Sequence, residues 1–343
     1  MNINRKLLSF RYRKKSFLNR SKRKKLEITP NKIDKGSHTY CPICSSDEVY
    51  LISEVDRVGF PCDTVMCKKC EFVFNNSYIS NPNEFYANQF GKARWGNPEK
   101  NFIKRTSKDS FSKQRFAFLI KTLGENLSNI ERILEIGCGD GCNLLPYHLM
   151  GKSVTGCDFN TRFLEPGLKR GLNLIKGDVN SIPDKSNFDL IMLIHSFEHV
   201  INLDATVQSA SNRLIAGGLV FVEVPGIIGL NQIREKSIQD KGLKTSNNFL
   251  AYLQFEHNYH FTLQHLKLIW ERNGFEMTYG DEWVRAIFRK KHTVELSNNE
   301  SSFNKYSSNT MNHLINVEKD YLKISNLLSG IGRLFIRKIS SNN

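Results

Sequence analysis

The stretch Arg132–Gly151, RILEIGCGDGCNLLPYHLMG, constrains this chain more than any other. A short apolar run leads into Gly137, Gly139 and Gly141 at alternate positions, then into residues at helical spacing. A strand, a glycine turn and a helix in that order predict a loop that lies against a ligand. Glycine lets the backbone turn tightly and approach closer than any side chain would allow. A dinucleotide loop reads G-x-G-x-x-G and rests a pyrophosphate on the helix N-terminus. Here the third glycine falls one residue early, and Glu135 and Asp140 bring negative charge. Carboxylates repel a pyrophosphate and suit a ligand carrying a sulfonium and an ammonium.

From Ile133 onward, apolar runs alternate with helical patterns. ILEIG, SVTGCD, LNLIKGD, FDLIMLIHS and LVFVEVP read as strands, the fourth apolar enough to be buried on both faces. NLLPYHLM, TRFLEPGLKRG and DATVQSASNRLIAGG read as helices, the last stopped by a glycine pair. After a polar insertion, Gly226–Asn258, TLQHLKLIWERNGF reads as a helix, with two final strands in EMTYG and VRAIFRK. This predicts an α/β domain over 107–291, a doubly wound, mostly parallel sheet of seven strands in a Rossmann-like arrangement. A linker over 77–106 precedes it, and a polar loop with a C-terminal amphipathic helix follows over 292–343.

The motifs resemble, in order, those of the class I S-adenosylmethionine-dependent methyltransferases. ILEIGCGDG is similar to that family's first motif, VTGCDFN to its second strand, IKGDV to its third, FDLIMLIHSFEHV to its fourth and RLIAGGLVFVEVP to its fifth. HNYHFTLQHLKLIWERNGF is similar to its late helix. The resemblance implies S-adenosylmethionine as cofactor. It would be bound by Glu135, Gly137, Gly139 and Gly141, by Asp158 at the ribose, by Asp178 near the adenine amino group and by His195. Alone, Asp158 reads equally as a helix cap and Asp178 as a turn acid.

CPIC (Cys41, Cys44) and CKKC (Cys67, Cys70) are two C-x2-C knuckles separated by 22 residues. That spacing predicts a four-thiolate zinc site in a small module over 39–76, where the metal would supply folding energy. Cys62 is a spare, and Cys138, Cys142 and Cys157 read as packing residues. CKKCEFVFNNSYISNPNEFYANQF resembles the module that precedes the methyltransferase domain in zinc-knuckle methyltransferases of carbohydrate biosynthesis, including sugar C-methyltransferases of deoxysugar pathways. The resemblance implies a structural zinc and a module that helps to cover the substrate.

Methyl transfer needs nucleophile, methyl and sulfur in line, and often a base. Two clusters qualify, His195-Ser196-Phe197-Glu198-His199 and Glu256-His257-Asn258-Tyr259-His260. The second resembles the His-Glu-His segment of the sugar C-methyltransferases, with Phe255 standing where that segment has its first histidine. This departure favours transfer to a hydroxyl, which needs one well-placed base. The expected base is His257, oriented by Glu256, with His199 and His260 as alternatives; a histidine before a helix also reads as a cap or a core residue. The expected acceptor is a sugar or glycan, nucleotide- or lipid-linked, methylated on oxygen or carbon.

The net charge of +15 is uneven. Eleven Lys and Arg and no acid fall within residues 1–26, leaving +4 for the rest. Residues 1–38 read as a basic, disordered arm. It suits an anionic membrane surface, less well a nucleic acid, and equally a solvated leader with no fixed partner. With no run apolar enough for a membrane span and no leader, the expectation is a cytoplasmic protein, peripheral at the inner membrane face where the arm engages it. Two rival readings stay open: an RNA base methyltransferase with an N-terminal zinc module, and a non-catalytic cofactor-binding scaffold. Against the first, His-Ser-Phe-Glu follows the fourth strand in place of an Asn/Asp-Pro-Pro-aromatic motif.

Overall fold

The computed structural model describes residues 2–4, 33–56, 59–90, 96–228, 253–292 and 309–322. Most of the basic arm and most of the insertion after Gly226 lie outside the described residues. Within the arm, two short strands are described, β1 (Asn2–Asn4) and β2 (Lys35–Ser37).

The cysteine-rich segment forms a hairpin of β3 (Glu48–Val55) and β4 (Pro61–Cys67), extended by β5 (Val73–Asn75). β1 adds to β3 in parallel, and β6 (Ser77–Ile79) pairs separately with β2. Among the described residues of the expected linker, helical turns follow the strand Ser77–Ile79. Pro82–Glu84 runs into π-helical turns at Phe85–Phe90, followed by α1 (Pro98–Thr106) capped by Asn97. Then α2 (Phe111–Leu123), capped by Ser110, leads into the large sheet.

Seven strands make that sheet: β7 (Arg132–Ile136), β8 (Ser153–Asp158), β9 (Asn173–Lys176), β10 (Phe188–Ile194), β11 (Leu214–Glu223), β13 (Phe275–Asp281) and β14 (Arg285–Lys290). Their spatial order is β13-β14-β11-β10-β7-β8-β9. All pairings from β9 to β11 are parallel, while β14 runs antiparallel to both neighbours. The seven strands and the doubly wound order agree with the sequence expectation, and the late reversed strand makes the sheet mixed. Strand order reverses at the β7–β10 pair, which opens a crevice at the carboxyl ends of these strands.

Alternation along the central strands explains the layering. Leu134, Ile136, Ile191, Leu193, Val220 and Val222 point into one core, with α5 (Leu203–Ser211) and α6 (Leu263–Arg272). Ile133, Leu190, Met192, Leu219 and Phe221 point into the other, with α2, α3 (Leu145–Leu149) and α4 (Thr161–Leu168). Trp270 of α6 is fully buried and stacks on Phe288 at 5.3 Å. The helix expected to run to Gly218 ends at Ser211 instead. Leu214 already pairs with Phe188, and the register then shifts so that Leu190 meets Leu219. The glycine pair thus serves a bulge in β11, with Gly217 at φ +73°.

The cysteine module is joined to this domain by a strand. β12 (Tyr259–His260) leaves the main fold and pairs antiparallel with β5, giving a five-stranded sheet of order β1-β3-β4-β5-β12. Arg272 of α6 donates to the carbonyl oxygens of Ile43 (2.7 Å) and Pro42 (3.3 Å), clamping the first knuckle. The last described helix, α7 (Asn309–Leu322), packs Leu314 and Val317 against Ile52, Met66 and Val73 of the module. No helix among the described residues is long and apolar enough to cross a membrane.

Candidate active site

A cleft of about 670 Å³ opens at the carboxyl ends of β7, β8, β9 and β10. The glycine loop forms one wall. Gly137 and Cys138 both donate to the carbonyl oxygen of Cys157, at 2.8 and 3.0 Å, which folds the loop back onto β8. Gly137 has φ +75°, and a Cβ there would lie 2.6 Å from the Cβ of Ser196. Asp158, at the end of β8, accepts from the Gly139 amide (3.0 Å) and from the Asn160 amide (2.9 Å). These bonds hold a half-buried carboxylate at the cleft, and desolvation raises its pKa. Asp178 accepts from the Asn180 amide at 2.9 Å and also lines the cleft.

Glu135 is the deepest acid of this wall, 1 % exposed. Asn143 donates to its Oε1 at 2.7 Å, while Oε2 is buried with no hydrogen-bond partner among the described residues. Burial pushes Glu135 up to about 8. An orphaned carboxylate oxygen facing a cleft is an acceptor waiting for a donor. Together with Asp158 it fits the cationic, hydroxyl-bearing ligand that the sequence implies. Arg105 of α1 lies over the loop, 3.2 Å from Asp140.

Ionic side chains gather at the mouths of β10 and β11. His195, in the left-handed region at φ 51°, sets Nε2 3.2 Å from Glu223, which also accepts from Arg115 at 2.6 Å. Burial opposes charge on His195, but Glu198 and Glu223 outweigh it and hold its pKa at about 9. Burial likewise opposes charge on Glu223, yet His195 and Arg115 hold it down at about 2.

Beyond this network the two expected base clusters meet. The His199 and His257 rings sit edge to face, 4.8 Å between centroids, and Glu198 lies beside them. His199 Nδ1 is 2.7 Å from the carbonyl oxygen of Glu256 and 2.9 Å from the Tyr86 hydroxyl. His260 is placed elsewhere. It is buried in β12 with Nε2 3.5 Å from Asn75 Oδ1, and burial pulls it down to about 4. Phe255 stacks on Phe60 at 4.1 Å, within an apolar cluster that also takes Cys62.

The four knuckle sulfurs converge. Cys41 and Cys70 Sγ are 3.6 Å apart, Cys44 and Cys67 Sγ 3.4 Å, and all four lie within 4.8 Å of one another. Metal–sulfur bonds of ~2.3 Å in a tetrahedron give sulfur–sulfur edges of about 3.8 Å. Burial pushes the Cys41 thiol up.

A family model described as a methyltransferase domain matches residues 106–279, just over half of the 343 residues. The chain belongs to that methyltransferase family. Its relatives include the ubiquinone biosynthesis O-methyltransferase of Pelagibacter ubique, 31% identical over 31% of this chain and 46% of that protein. O-methyltransferase 3 of Dictyostelium discoideum is 24% identical over 54% of this chain and 45% of its own length. The methyltransferase thus spans about half the length of these curated relatives. Among solved structures, CalS10, an amino pentose methyltransferase from Micromonospora echinaspora, is 13% identical over 56% of this chain and 96% of its own, with a TM-score of 0.41.

The cleft brings together Glu135, the three glycines' loop, Asp158, Asp178, His195, His199 and His257. Sequence reasoning passed over Tyr86, Arg105 and Arg115, which reach it from the segments before the sheet. The Tyr in NEFYANQF was the only local signal.

Proposed function

We propose that this methyltransferase methylates a hydroxyl oxygen of a sugar or glycan acceptor, nucleotide- or lipid-linked, and that its four knuckle cysteines hold a structural zinc ion. Glu135, Gly137, Gly139, Asp158 and Asp178 would hold S-adenosylmethionine, which when bound supplies an electrophilic methyl on a sulfonium. Glu135 Oε2 would take the ammonium and Asp158 the ribose hydroxyls. The glycine loop excludes side chains from the space the donor needs.

The observation that carries the acceptor reading is the set of polar side chains around the mouth of β10. Tyr86, Glu198, His199, Gln254 and His257 all face the cleft there. Hydroxyl, carboxylate, imidazole and amide groups suit a ligand with many hydroxyls. The same set offers the acid–base groups that a hydroxyl nucleophile requires, His257 foremost. Phe255 is committed to its stack on Phe60 and supplies no second base. That supports oxygen over carbon as the methylated atom. The names of the relatives support O-methyl transfer and favour one second reading, an acceptor from ubiquinone biosynthesis, for which catechols serve as probes.

The deciding experiment supplies radiolabelled S-adenosylmethionine with a panel of nucleotide-linked sugars and a panel of catechols, and reads products by mass spectrometry. Methyl ethers on sugars are the expected result. Turnover of catechols alone would overturn the sugar reading and leave O-methyl transfer standing.

A further inference from the structure

Glu198 is 1 % exposed, and neither of its carboxylate oxygens has a hydrogen-bond partner among the described residues. Two imidazoles stand near it without bonding to it. His199 Nε2 is 3.8 Å from Oε1 and His195 Nδ1 is 3.6 Å away, both beyond hydrogen-bond range. His195 also faces Glu223, through its other nitrogen. The charge of His195, which Glu223 shares, offsets part of this burial, and a buried carboxylate so thinly paired is costly.

His199 sharpens the point. Its Nδ1 lies 2.7 Å from the carbonyl oxygen of Glu256, which can only accept. In the neutral ring the proton therefore sits on Nδ1, and Nε2 turns a lone pair toward Glu198. Carboxylate and lone pair then face each other with no hydrogen between them. A backbone carbonyl holding the far N–H of an imidazole is the usual support of a metal-ligating histidine. His257 closes the group: one ligand atom from each of Glu198, His199 and His257 lies within 4.8 Å of the others. Two ligands ~2.1 Å from one ion stand about 3.4 Å apart at the tetrahedral angle and about 4.2 Å apart when opposed. Small side-chain rotations bring the set into that range.

We infer that Glu198, His199 and His257 form a second metal site in the cleft, for a divalent transition cation of the manganese–zinc class. Two imidazoles and one carboxylate select such an ion over calcium or magnesium and leave positions open on the cleft side. This rests on the reading of those side chains as the acceptor end, and it gives His257 the role of ligand in place of base. The ion draws an acceptor hydroxyl and lowers its pKa, so that the proton passes to water and the O–H pair stays on oxygen. That pair forms the new O–C bond as the C–S pair returns to sulfur.

The test is a titration of the full-length chain with Mn²⁺, followed by electron paramagnetic resonance, with no acceptor present. One bound Mn²⁺ per chain with nitrogen couplings from imidazole is expected. Glu198→Gln and His257→Asn should each weaken it about tenfold or more. S-adenosylmethionine affinity, measured by calorimetry, reports that the variants are folded and should hold within about twofold. Cys62→Ser should leave Mn²⁺ binding unchanged. No bound Mn²⁺ in the wild type at about millimolar metal, bound Mn²⁺ without nitrogen couplings, or equal binding by the folded variants overturns the site. Because no acceptor is used, that failure is distinct from failure of the sugar assay.

Discussion

Asn75, on the cysteine module, donates its side-chain amide to the carbonyl oxygen of His257 at 2.7 Å. The same amide reaches the carbonyls of Gln254 (3.0 Å) and Phe255 (3.4 Å), and Thr64 donates to its Oδ1 at 2.8 Å. One buried side chain thus sets the path of the loop that delivers His257 to the cleft. Asn75→Ala should cut kcat/KM by about tenfold to a hundredfold through misplacement of that loop. The donor wall lies on other strands, so S-adenosylmethionine affinity should stay within about twofold. Steady-state kinetics beside calorimetry checks this, and equal losses on both sides would refute the assignment.

Glu135 gives a pH signature. Its pKa in the free protein is raised to about 8 by burial, so at pH 7 it is mostly protonated. Pairing with an ammonium favours the carboxylate, so binding S-adenosylmethionine should expel that proton. Calorimetry at pH 7 in buffers of different ionisation enthalpy should show release of up to about one proton, absent in Glu135→Gln. The sign for stability is opposite to that of a salt-bridged acid. Between the unfolded value of 4.5 and about 8 the folded chain holds the extra proton, so apo stability falls as pH rises through that window. Glu135→Gln should flatten it.

Gly137→Ala combines two penalties. The residue sits at φ +75°, and the new Cβ would meet Ser196 Cβ at 2.6 Å. Strain alone costs about 1–3 kcal/mol. Gly151 supplies the control, with φ +81° and nothing within 4 Å of a built Cβ. Both substitutions should lower the melting temperature, whereas only Gly137→Ala should weaken S-adenosylmethionine by tenfold or more, roughly the cost of moving the β10 loop.

Metal analysis of the purified chain should find zinc bound to the four knuckle cysteines. Cys67→Ser should lose that ion and unfold the module at lower temperature, because binding energy there is folding energy. Cys62→Ser should keep it, since that thiol packs with Phe60, Ile79, Phe85 and Phe255. Retention of zinc by Cys67→Ser would count against the site.

The donor wall was legible because its signals are local. A strand, a tight turn with glycines and an acid ending the next strand are each written within a few neighbouring residues, and the structure brings Gly137, Gly139, Asp158 and Asp178 to one cleft. The acceptor wall was legible only in part. His199 and His257 could be nominated separately, but their edge-to-face contact depends on β12 leaving the main fold to pair with β5. Tyr86 and Arg105 come from a stretch with no apolar period, and their place over the cleft is set by tertiary packing alone. The bulge in β11 was missed for a related reason. Leu214, Ile215 and Ala216 suit a helix locally, and pairing of Leu214 with Phe188 overrides that preference.

The strand β12 divides the labour of the molecule. In the proposed reading, Gln254 and His257 reach the acceptor end from the segment that β12 ties to the second sheet, while Glu198 and His199 follow β10 of the large one. Changes confined to 72–90 and 253–260 can therefore reshape which acceptor is accepted while the donor cradle at 132–178 stays intact. A chain built this way can acquire new acceptors without relearning how to hold its methyl source.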